Sequence, residues 1–457
     1  MDELSEPTTR IFKPNESMNN EAYKLESYYD ATRKEYLIQN ERGGWIPLTE
    51  MQFKRILKKH GFSASNPKEG GLSPLEDRLV YLQRNKDVYY VGSLAGYSAG
   101  FYESGKSRLL VTDSPEIITP ENGEWPILNQ FLTNLFVVGE CNQLPFVHGW
   151  IKVSFESLRN KQRRPGQALI MAGPHNCGKS LFQNLLTLIL GGRSTKPYQY
   201  MMGITPFNAD LFEAEHLAME DEHASMDLRA RRHFGTHIKG ITVNESQRHH
   251  GKHQKGMVLY PFWRLSVSIN DEPENLMVLP PIDDSLEDKV TLLKTVRQPM
   301  PMPTTTQDER TAFWNRLRAE LPAYLEYLIS WEIPQELLCP RFGIKHFHHP
   351  ELLSAIDALA PEFRLLSLID GQLFAPYGDH RWQGSSEELE RTLVSEESKC
   401  RVEARRLFSF NTACGVYLGR LHKKYPHRVE KHRDSSSRTW TIHPPADTEN
   451  TLSPCHY

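Results

Sequence analysis

Residues 169–192 read LIMAGPHNCGKSLFQNLLTLILGG, and this stretch decides the fold class. Its first letters are apolar, as in a buried strand, and the Leu and Ile spacing after Ser180 is typical of one face of a helix. Between them, GPHNCGKS matches the pattern G-x-x-x-x-G-K-[ST]. Glycine lets successive backbone N–H groups point at phosphate oxygens, and the helix N-terminus adds a partial positive charge. We therefore expect a strand–loop–helix unit that binds a nucleoside triphosphate.

The loop has expected roles for individual side chains. Lys179 is expected to reach the β- and γ-phosphates, and the Ser180 hydroxyl is expected to bind Mg²⁺. An ordinary glycine-rich turn is the alternative, but the match lies between a strand and a helix, as phosphate binding requires. The expected cofactors are ATP and Mg²⁺. The residues expected around the nucleotide are Gly173, Pro174, His175, Asn176, Cys177, Gly178, Lys179, Ser180 and Leu181.

The bulk composition indicates a large protein of several domains. The 457 residues are 39% hydrophobic, and the formal net charge of −3 points to no particular partner. The acidic start MDELSEPTTR precedes no apolar run, and no stretch reaches the roughly 18 apolar residues of a membrane helix. The six cysteines form no C-x-x-C pair, so neither a zinc site nor a disulfide framework is indicated. We expect a cytoplasmic protein with no membrane partner.

Positive charge is concentrated in two segments. Residues 229–264 contain eight Lys or Arg against one acid, and residues 401–438 contain ten against three. In a near-neutral chain this asymmetry indicates two positive surfaces, and polyanion binding is their usual use. A solvated charged face is the alternative for either segment alone.

Acidic residues follow a second apolar run, in HLAMEDEH at residues 216–223. A strand that ends in two acids can provide one carboxylate to orient Mg²⁺ and another to polarise the attacking water. We assign Asp221 the metal role and Glu222 the role of general base. An acidic triplet alone would more often be a solvated loop, and its position behind an apolar run, 42 residues after Lys179, favours the catalytic interpretation.

A third apolar run, in RLSVSINDEPENL, ends at Asn270. An amide there can contact the γ-phosphate or hold the lytic water, although Asn at a strand end is also a routine turn residue. Between the acids and Asn270, two strand-like runs at residues 241–263 flank a basic turn around Gly251. Such a hairpin can grip phosphates without reading sequence. Its candidate nucleic-acid contacts are Arg248, His250, Lys252, His253 and Lys255.

Loop, acids, basic hairpin and asparagine follow in this order within about 100 residues. The set resembles the ATPase domain of superfamily 3 helicases, above all the primase-helicase-type ATPases of phages, plasmids and other mobile elements. The phrases LPPIDDSLEDKVTLLKTVR, RAELPAYLEYLISWEIP and RFGIKHFHHPELL extend the resemblance over about residues 85–445. It implies an α/β fold with a P-loop, AAA+-like ATPase core, ATP hydrolysis, and single-stranded or forked DNA as partner.

The resemblance also assigns residues. It implies that Gly173, Gly178, Lys179 and Ser180 form motif A, residues 220–222 motif B, and Asn270 motif C. The DNA-gripping hairpin would carry Lys252 and His253. Family members form homo-oligomeric rings, often hexamers, in which a basic residue of one subunit completes the ATP site of its neighbour. The candidates for that trans-acting cation are Arg264, Lys289 and Arg297.

We expect four parts along the chain. Residues 1–120 form a small α+β domain of unknown role, 121–300 the ATPase core, 301–345 a helical linker or lid, and 346–457 a winged-helix-like domain. Relatives often carry a polymerase-type primase domain ahead of the ATPase. Here the first part is too short and lacks a recognisable pair of metal-binding carboxylates, so any primase would be a separately encoded partner.

The last part has the pattern of a DNA-binding module. Residues 404–426 can supply the two helices of a helix-turn-helix, and residues 428–445 can form a two-stranded wing. A helical cap with no DNA-binding role is the alternative. The cations expected to meet phosphates are Arg420, Lys423, Lys424, Arg428, Lys431 and Arg433.

Two other functions are compatible with the phosphate loop. The chain could be a nucleic-acid-triggered, oligomerising ATPase, a sensor or assembly factor that opens no duplex. A small-molecule P-loop kinase is the second alternative, and it leaves both basic segments unexplained.

Overall fold

The structure is a computed structural model, and it describes residues 25–68, 70–104, 107–220, 228–252, 256–374, 381–433 and 438–445. Across these residues, no helix is both long and apolar enough to span a membrane. The architecture is mixed α/β, with a five-stranded parallel sheet at its centre and smaller sheets toward both ends of the chain.

The N-terminal part is a four-stranded sheet covered by two helices. A hairpin forms here by antiparallel pairing of residues 36–39 with 45–48. The first helix begins after Thr49, whose side chain closes a capping box with Gln52, and it ends before Gly61 at φ +88°. The elements are β1 (Ser27–Asp30), β2 (Glu35–Gln39), β3 (Trp45–Leu48), α1 (Glu50–Lys59), α2 (Pro74–Asn85) and β4 (Asp87–Val88), in sheet order β3-β2-β1-β4.

A three-stranded sheet follows, made of β5 (Tyr90–Gly92), β6 (Gly100–Ser104) and β7 (Ser107–Val111), with β7 in the middle. Its buried side chains, including Tyr90, Leu109 and Val111, pack into the same hydrophobic cluster as one face of the central sheet. The division at about residue 120 remains a proposal, since the packing of residues 90–111 joins this small sheet to the central core.

The central parallel sheet has the order β11-β12-β15-β10-β16. Parallel pairing places the carboxyl ends of all five strands at one edge, where loops that carry functional residues meet. The elements in this region are α3 (Pro126–Phe136), β8 (Val137–Val138), β9 (Cys141–Asn142), α4 (Leu144–Arg159), β10 (Ala168–Ala172), α5 (Lys179–Ile189), β11 (Ser194–Thr195), α6 (Tyr198–Met201), β12 (His216–Met219), α7 (Leu228–Val243), β13 (Gln247–His249), β14 (Met257–Leu259), β15 (Arg264–Ile269), α8 (Pro273–Leu276) and β16 (Val290–Lys294).

Both faces of this sheet are covered. Along β10, Leu169 and Met171 point into one hydrophobic cluster, and Ala168 and Ile170 point into the other. This alternation is the period-two geometry of a strand buried on both sides, and it explains why the sequence reads as a continuous apolar run. The predicted strand and the predicted helix after it are therefore confirmed.

One long helix, α9 (Gln307–Ser330), follows the sheet and contains Pro322, as the helical spacing predicts. The proline-rich segment before it is packed against the protein, because Met300 and Met302 contact the hydrophobic cluster that contains Leu169 and Met171. The Asn134 side chain also donates to the Pro299 carbonyl at 2.8 Å. This segment is therefore packed along the central core.

The C-terminal part contains a helical cluster with a three-stranded antiparallel sheet. Its hydrophobic core surrounds Trp440, which is fully buried among Leu389, Leu418 and Ile442. The predicted pair of helices and the predicted strand pair both form. The elements are β17 (Leu338–Cys339), β18 (Gly343–Ile344), α10 (Pro350–Ala358), α11 (Pro361–Ile369), β19 (Trp382–Gly384), α12 (Ser386–Val394), α13 (Arg401–Leu407), α14 (Ala413–Lys424), β20 (Val429–Arg433) and β21 (Arg438–Ile442), with sheet order β19-β21-β20.

Candidate functional site

The loop between β10 and α5 is shaped by close backbone approach. A Cβ on Gly173 would lie 2.2 Å from both the carbonyl oxygen and the hydroxyl of Thr295, so only glycine fits there. Gly178, at φ +112°, is the N-cap of α5, and no side chain caps the first N–H groups of the helix. These N–H groups and the positive end of the helix dipole can bind an anion.

The predicted convergence of Lys179 and Asn270 is present. Lys179 is buried, and its ammonium donates to the Gly173 carbonyl at 2.6 Å, to the Pro174 carbonyl at 2.9 Å and to Asn270 Oδ1 at 3.1 Å. The Asn270 amide nitrogen lies 2.9 Å from His175 Nε2. Asn270 therefore connects the end of β15 to two residues of the loop, although they are about 90 residues apart in sequence.

Sequence reasoning missed one member of this site. Thr295 follows β16 directly, and its hydroxyl lies 3.4 Å from Cys177 Sγ and donates to the Ala172 carbonyl at 3.3 Å. It is fully buried. The apolar run VTLLK before Thr295 has the same form as the runs that end near Gly173 and Asn270. That pattern could have identified Thr295 as a third strand-end residue.

Of the acidic motif, the structure describes Glu220. Strand β12 ends at Met219, beside β15, so Glu220 lies at the same sheet edge as Asn270. Glu220 forms an exposed ion pair with Lys196 at 3.0 Å. Asp221 and Glu222 lie outside the described residues, so their roles remain predictions. Within the described part of the chain, no group of three or more His, Cys, Asp or Glu side chains could hold a metal ion.

A buried polar network beneath the site was also missed. Gln183 on α5 donates to the Met219 carbonyl at 3.1 Å and to the Ser266 hydroxyl at 2.8 Å. His216 lies 2.7 Å from Ser266 Oγ and 2.7 Å from Thr187 Oγ1, and burial lowers the pKa of His216 to about 3. Because the network ties α5 to β12 and β15, it fixes the strand that ends in the acids relative to the loop.

The three trans-acting candidates have different surroundings. Arg264 is buried inside its own chain, where it donates to Ser154 Oγ at 2.9 Å and to two backbone carbonyls, and burial lowers its pKa to about 9. Lys289 lies before β16, at the sheet edge opposite the loop, and it is paired with Asp288 at 2.5 Å. Arg297 is exposed and follows Thr295 by two residues. The structure therefore favours Arg297, and all three assignments remain predictions.

The basic hairpin is formed by β13 and β14, which pair in antiparallel register. One detail of the expectation was wrong: residues 241–243 end helix α7 and are not part of a strand. Their β-branched side chains favour a strand, but the Thr242 hydroxyl donates to the Ile238 carbonyl at 2.8 Å within the helix, and Ile238 is fully buried. Tertiary packing therefore decides this segment.

Asn208 anchors the hairpin to the core. This buried amide donates to the Arg248 carbonyl at 2.9 Å and accepts from the His250 backbone N–H at 2.8 Å. Arg248 and Lys252 are exposed, and the His250 ring is half-buried against Phe207. The other two predicted contacts, His253 and Lys255, lie outside the described residues.

The cations predicted to contact DNA in the C-terminal part differ in their surroundings. Three of these cations are paired with carboxylates of their own chain: Arg420 with Glu362 at 3.2 Å, Lys424 with Asp357 at 2.5 Å, and Arg428 with Asp370 at 2.6 Å. Arg428 is buried. Lys423 and Lys431 are exposed, whereas the Arg433 side chain is outside the described part of the protein. Sequence reasoning could not detect this pairing, because the carboxylates lie about 60 residues upstream.

No protein-family model and no curated protein sequence matches the chain. Among solved structures, the apo C-terminal region of NrS-1 (residues 305–718) matches with a TM-score of 0.53 at 13% sequence identity, covering 94% of this chain and 100% of that one. Its A form gives a TM-score of 0.52, covering 93% and 99% of the two chains. A structure described as SCCmec type IV Cch, active helicase, has a TM-score of 0.29, which is too low to support an argument.

The chain therefore has the fold of the NrS-1 C-terminal region over nearly its whole length. This is a mixed α/β fold around a five-stranded parallel sheet, consistent with a P-loop ATPase core. The predicted resemblance is confirmed for the fold. At 13% identity this likeness shows the fold and does not show an activity.

Proposed function

We propose that this protein is an ATP-dependent DNA helicase or translocase of a mobile genetic element, such as a phage, a plasmid or an integrated element. The observation that carries the proposal is the meeting of Lys179 and Asn270, 3.1 Å apart, at the carboxyl edge of a parallel sheet. The basic hairpin is inserted in the chain between the two strands that would sense the nucleotide, β12 and β15. Such an arrangement would connect the proposed nucleotide site with a cationic surface.

ATP is the proposed substrate of the loop. The uncapped N–H groups at the start of α5 would bind phosphate oxygens, and Lys179 would exchange its loop carbonyls for the β- and γ-phosphates. Asn270 accepts a hydrogen bond from Lys179, so it would respond when that ammonium moves to phosphate. Glu222 would then polarise the attacking water as general base.

Mg²⁺ would need only a few protein ligands at this site. The Ser180 hydroxyl is exposed at the start of α5, and Asp221 would supply a carboxylate from the segment after β12. Mg²⁺ usually keeps several waters and binds through one or two protein groups plus phosphate oxygens, so an all-protein cage is not required. When bound, the ion would neutralise the charge that develops on the γ-phosphate.

We further propose a homo-oligomeric ring, most simply a hexamer, with Arg297 as the cation that reaches the neighbouring site. Its exposure next to the site edge supports this choice. Lys252 and His253 would grip single-stranded DNA in the channel. We interpret α13, α14, β20 and β21 as a helix-turn-helix with a wing, in which the exposed Lys423 and Lys431 would contact phosphates.

ATP hydrolysis by purified Lys179→Ala protein tests the site. The variant should lose hydrolysis almost completely, whereas Lys58→Ala on the exposed face of α1 should keep the wild-type rate. Full activity of the Lys179 variant would refute the nucleotide site. The hairpin is tested separately: Lys252→Ala with His253→Ala should abolish strand displacement on forked DNA and leave basal hydrolysis nearly unchanged.

The sensor or assembly ATPase differs from the helicase in one measurement. Both should show DNA-stimulated hydrolysis, but only the helicase separates a forked duplex. The kinase alternative predicts no stimulation by DNA at all. Hydrolysis and gel-based unwinding measured on the same preparation therefore distinguish the three functions.

A further inference from the structure

One face of the hairpin exposes cationic, apolar and aromatic side chains next to each other. Arg248 and Val258 are direct cross-strand partners, so their side chains share a face. Exposure alternates along the second strand: Val258 is 55% exposed, Leu259 is buried and Tyr260 is 40% exposed. Tyr260, which follows the last residue of β14, therefore continues the face that carries Arg248 and Val258. A large apolar residue and an aromatic ring are exposed here between cations.

The Tyr260 ring is held in place at the root of the hairpin. The guanidinium carbon of Arg163 lies 5.5 Å from the Tyr260 ring centroid and 5.2 Å from that of Tyr97. Arg163 also donates to the Tyr97 hydroxyl at 2.5 Å, and the Tyr97 ring packs edge-on against Tyr102 at 5.1 Å. Cation–π contacts with two tyrosine rings hold the arginine, and the arginine in turn orients the exposed tyrosine.

The charge around this ring fits a polyanion. Arg163 lies against this ring, Lys161 lies in the same exposed loop before β10, and Arg248 lies on the adjoining strand. The acid that faces them is Glu245, near the end of α7. The cationic excess disfavours the same surface of a second copy as the occupant, because like charges would meet.

We propose that Tyr260, oriented by Arg163, is a stacking platform for a base of single-stranded nucleic acid. The inference rests on the proposed function, and it adds a contact to the bases where the hairpin cations contact phosphates. Base–aromatic stacking contributes about 1–3 kcal/mol per base and tolerates any sequence. In a duplex the bases are stacked on each other, so an exposed ring at this place selects unpaired strands.

Binding of a fluorescent thymidine oligonucleotide, measured by anisotropy with a non-hydrolysable ATP analogue, tests the platform. Tyr260→Ala should weaken binding by about 5- to 150-fold, the equivalent of the stacking contribution. Tyr260→Phe keeps the ring and should bind within about twofold of wild type. Basal ATP hydrolysis should be unchanged in both variants, because Tyr260 lies outside the nucleotide site.

An abasic oligonucleotide of the same length separates stacking from phosphate contact. Wild type and Tyr260→Ala should bind this strand equally, since it offers phosphates without bases. If Tyr260→Ala binds the thymidine strand as tightly as wild type does, the stacking inference is overturned, and the hairpin cations keep their role. If wild type binds neither strand, the proposed function fails and this inference fails with it. Altered sedimentation with unaltered binding would instead make Tyr260 a subunit contact, which also overturns the platform.

Discussion

Replacement of Glu215 by Gln should destabilise the protein strongly. Glu215 is fully buried before β12, where its carboxylate accepts the Gly96 backbone N–H at 2.8 Å and Arg193 Nε at 3.0 Å. Arg193 also donates to the Leu94 and Asp113 carbonyls, so the pair joins the segment 94–113 to the central sheet. Breaking a buried ion pair costs about 3–5 kcal/mol. Arg193 keeps some solvent contact, so we expect about 3 kcal/mol.

Urea unfolding followed by circular dichroism measures this loss. Glu50→Gln is the matched control, because Glu50 forms an exposed ion pair with Lys54 on α1 and its removal should cost less than about 0.5 kcal/mol. Adding Arg193→Met to Glu215→Gln should recover part of the loss, since the unpaired charge is then gone. The reasoning is wrong if Glu215→Gln and Glu50→Gln lower the free energy of unfolding equally.

Three further outcomes are expected. Burial lowers the pKa of His148 and His348 to about 4 and that of His216 to about 3, so these rings are neutral when folded and bind protons on unfolding. Each should therefore reduce stability by about 2 kcal/mol as pH falls from 8 to 5, measured as the free energy of unfolding in urea. Gly173→Ala should reduce ATP hydrolysis by about 100-fold, because its Cβ would meet Thr295 at 2.2 Å. Gln183→Met should lower the stability by about 1–3 kcal/mol, also measured in urea, by leaving buried hydrogen-bonding groups unpaired.

Each of these outcomes has a contrary result. Constant stability between pH 8 and 5 would contradict the neutral, buried histidines. For the loop, Gly240→Ala is the control, because its Cβ has space on α7, and it should keep full hydrolysis and gain up to about 1 kcal/mol. Equal hydrolysis by the Gly173 and Gly240 variants would contradict the close packing of the loop. Unchanged stability of the Gln183 variant would show that the buried network contributes little.

The sequence predicted the local elements well because their causes are local. The apolar run and glycines around Gly173 specify a strand, a loop and a helix, and Thr49 and Gly61 mark the ends of α1. The meeting of Lys179 with Asn270 was also predictable, because parallel strands bring their carboxyl ends to one edge. Residue type and order along the chain were sufficient for these predictions.

The remaining features depend on partners far away in the sequence. In the sequence, Arg264 cannot be distinguished from an exposed surface arginine. Only the packed structure shows that Ser154 and backbone carbonyls surround it. Thr295 and Gln183 have no motif of their own, since their roles come from contacts across the sheet. Residues 241–243 were mistaken for a strand because burial of Ile238 outweighs their own preference.

The ion pairs on and beside α14 change how that region would respond to ionic strength. A protein that neutralises phosphates releases condensed counterions, and each contact adds about 0.9 to the slope of affinity against salt on logarithmic axes. For Arg420, Lys424 and Arg428, carboxylates of the same chain already serve as counterions. DNA would displace those carboxylates and would liberate fewer dissolved cations. The affinity of this region should therefore fall less steeply with salt than its six basic residues alone would require.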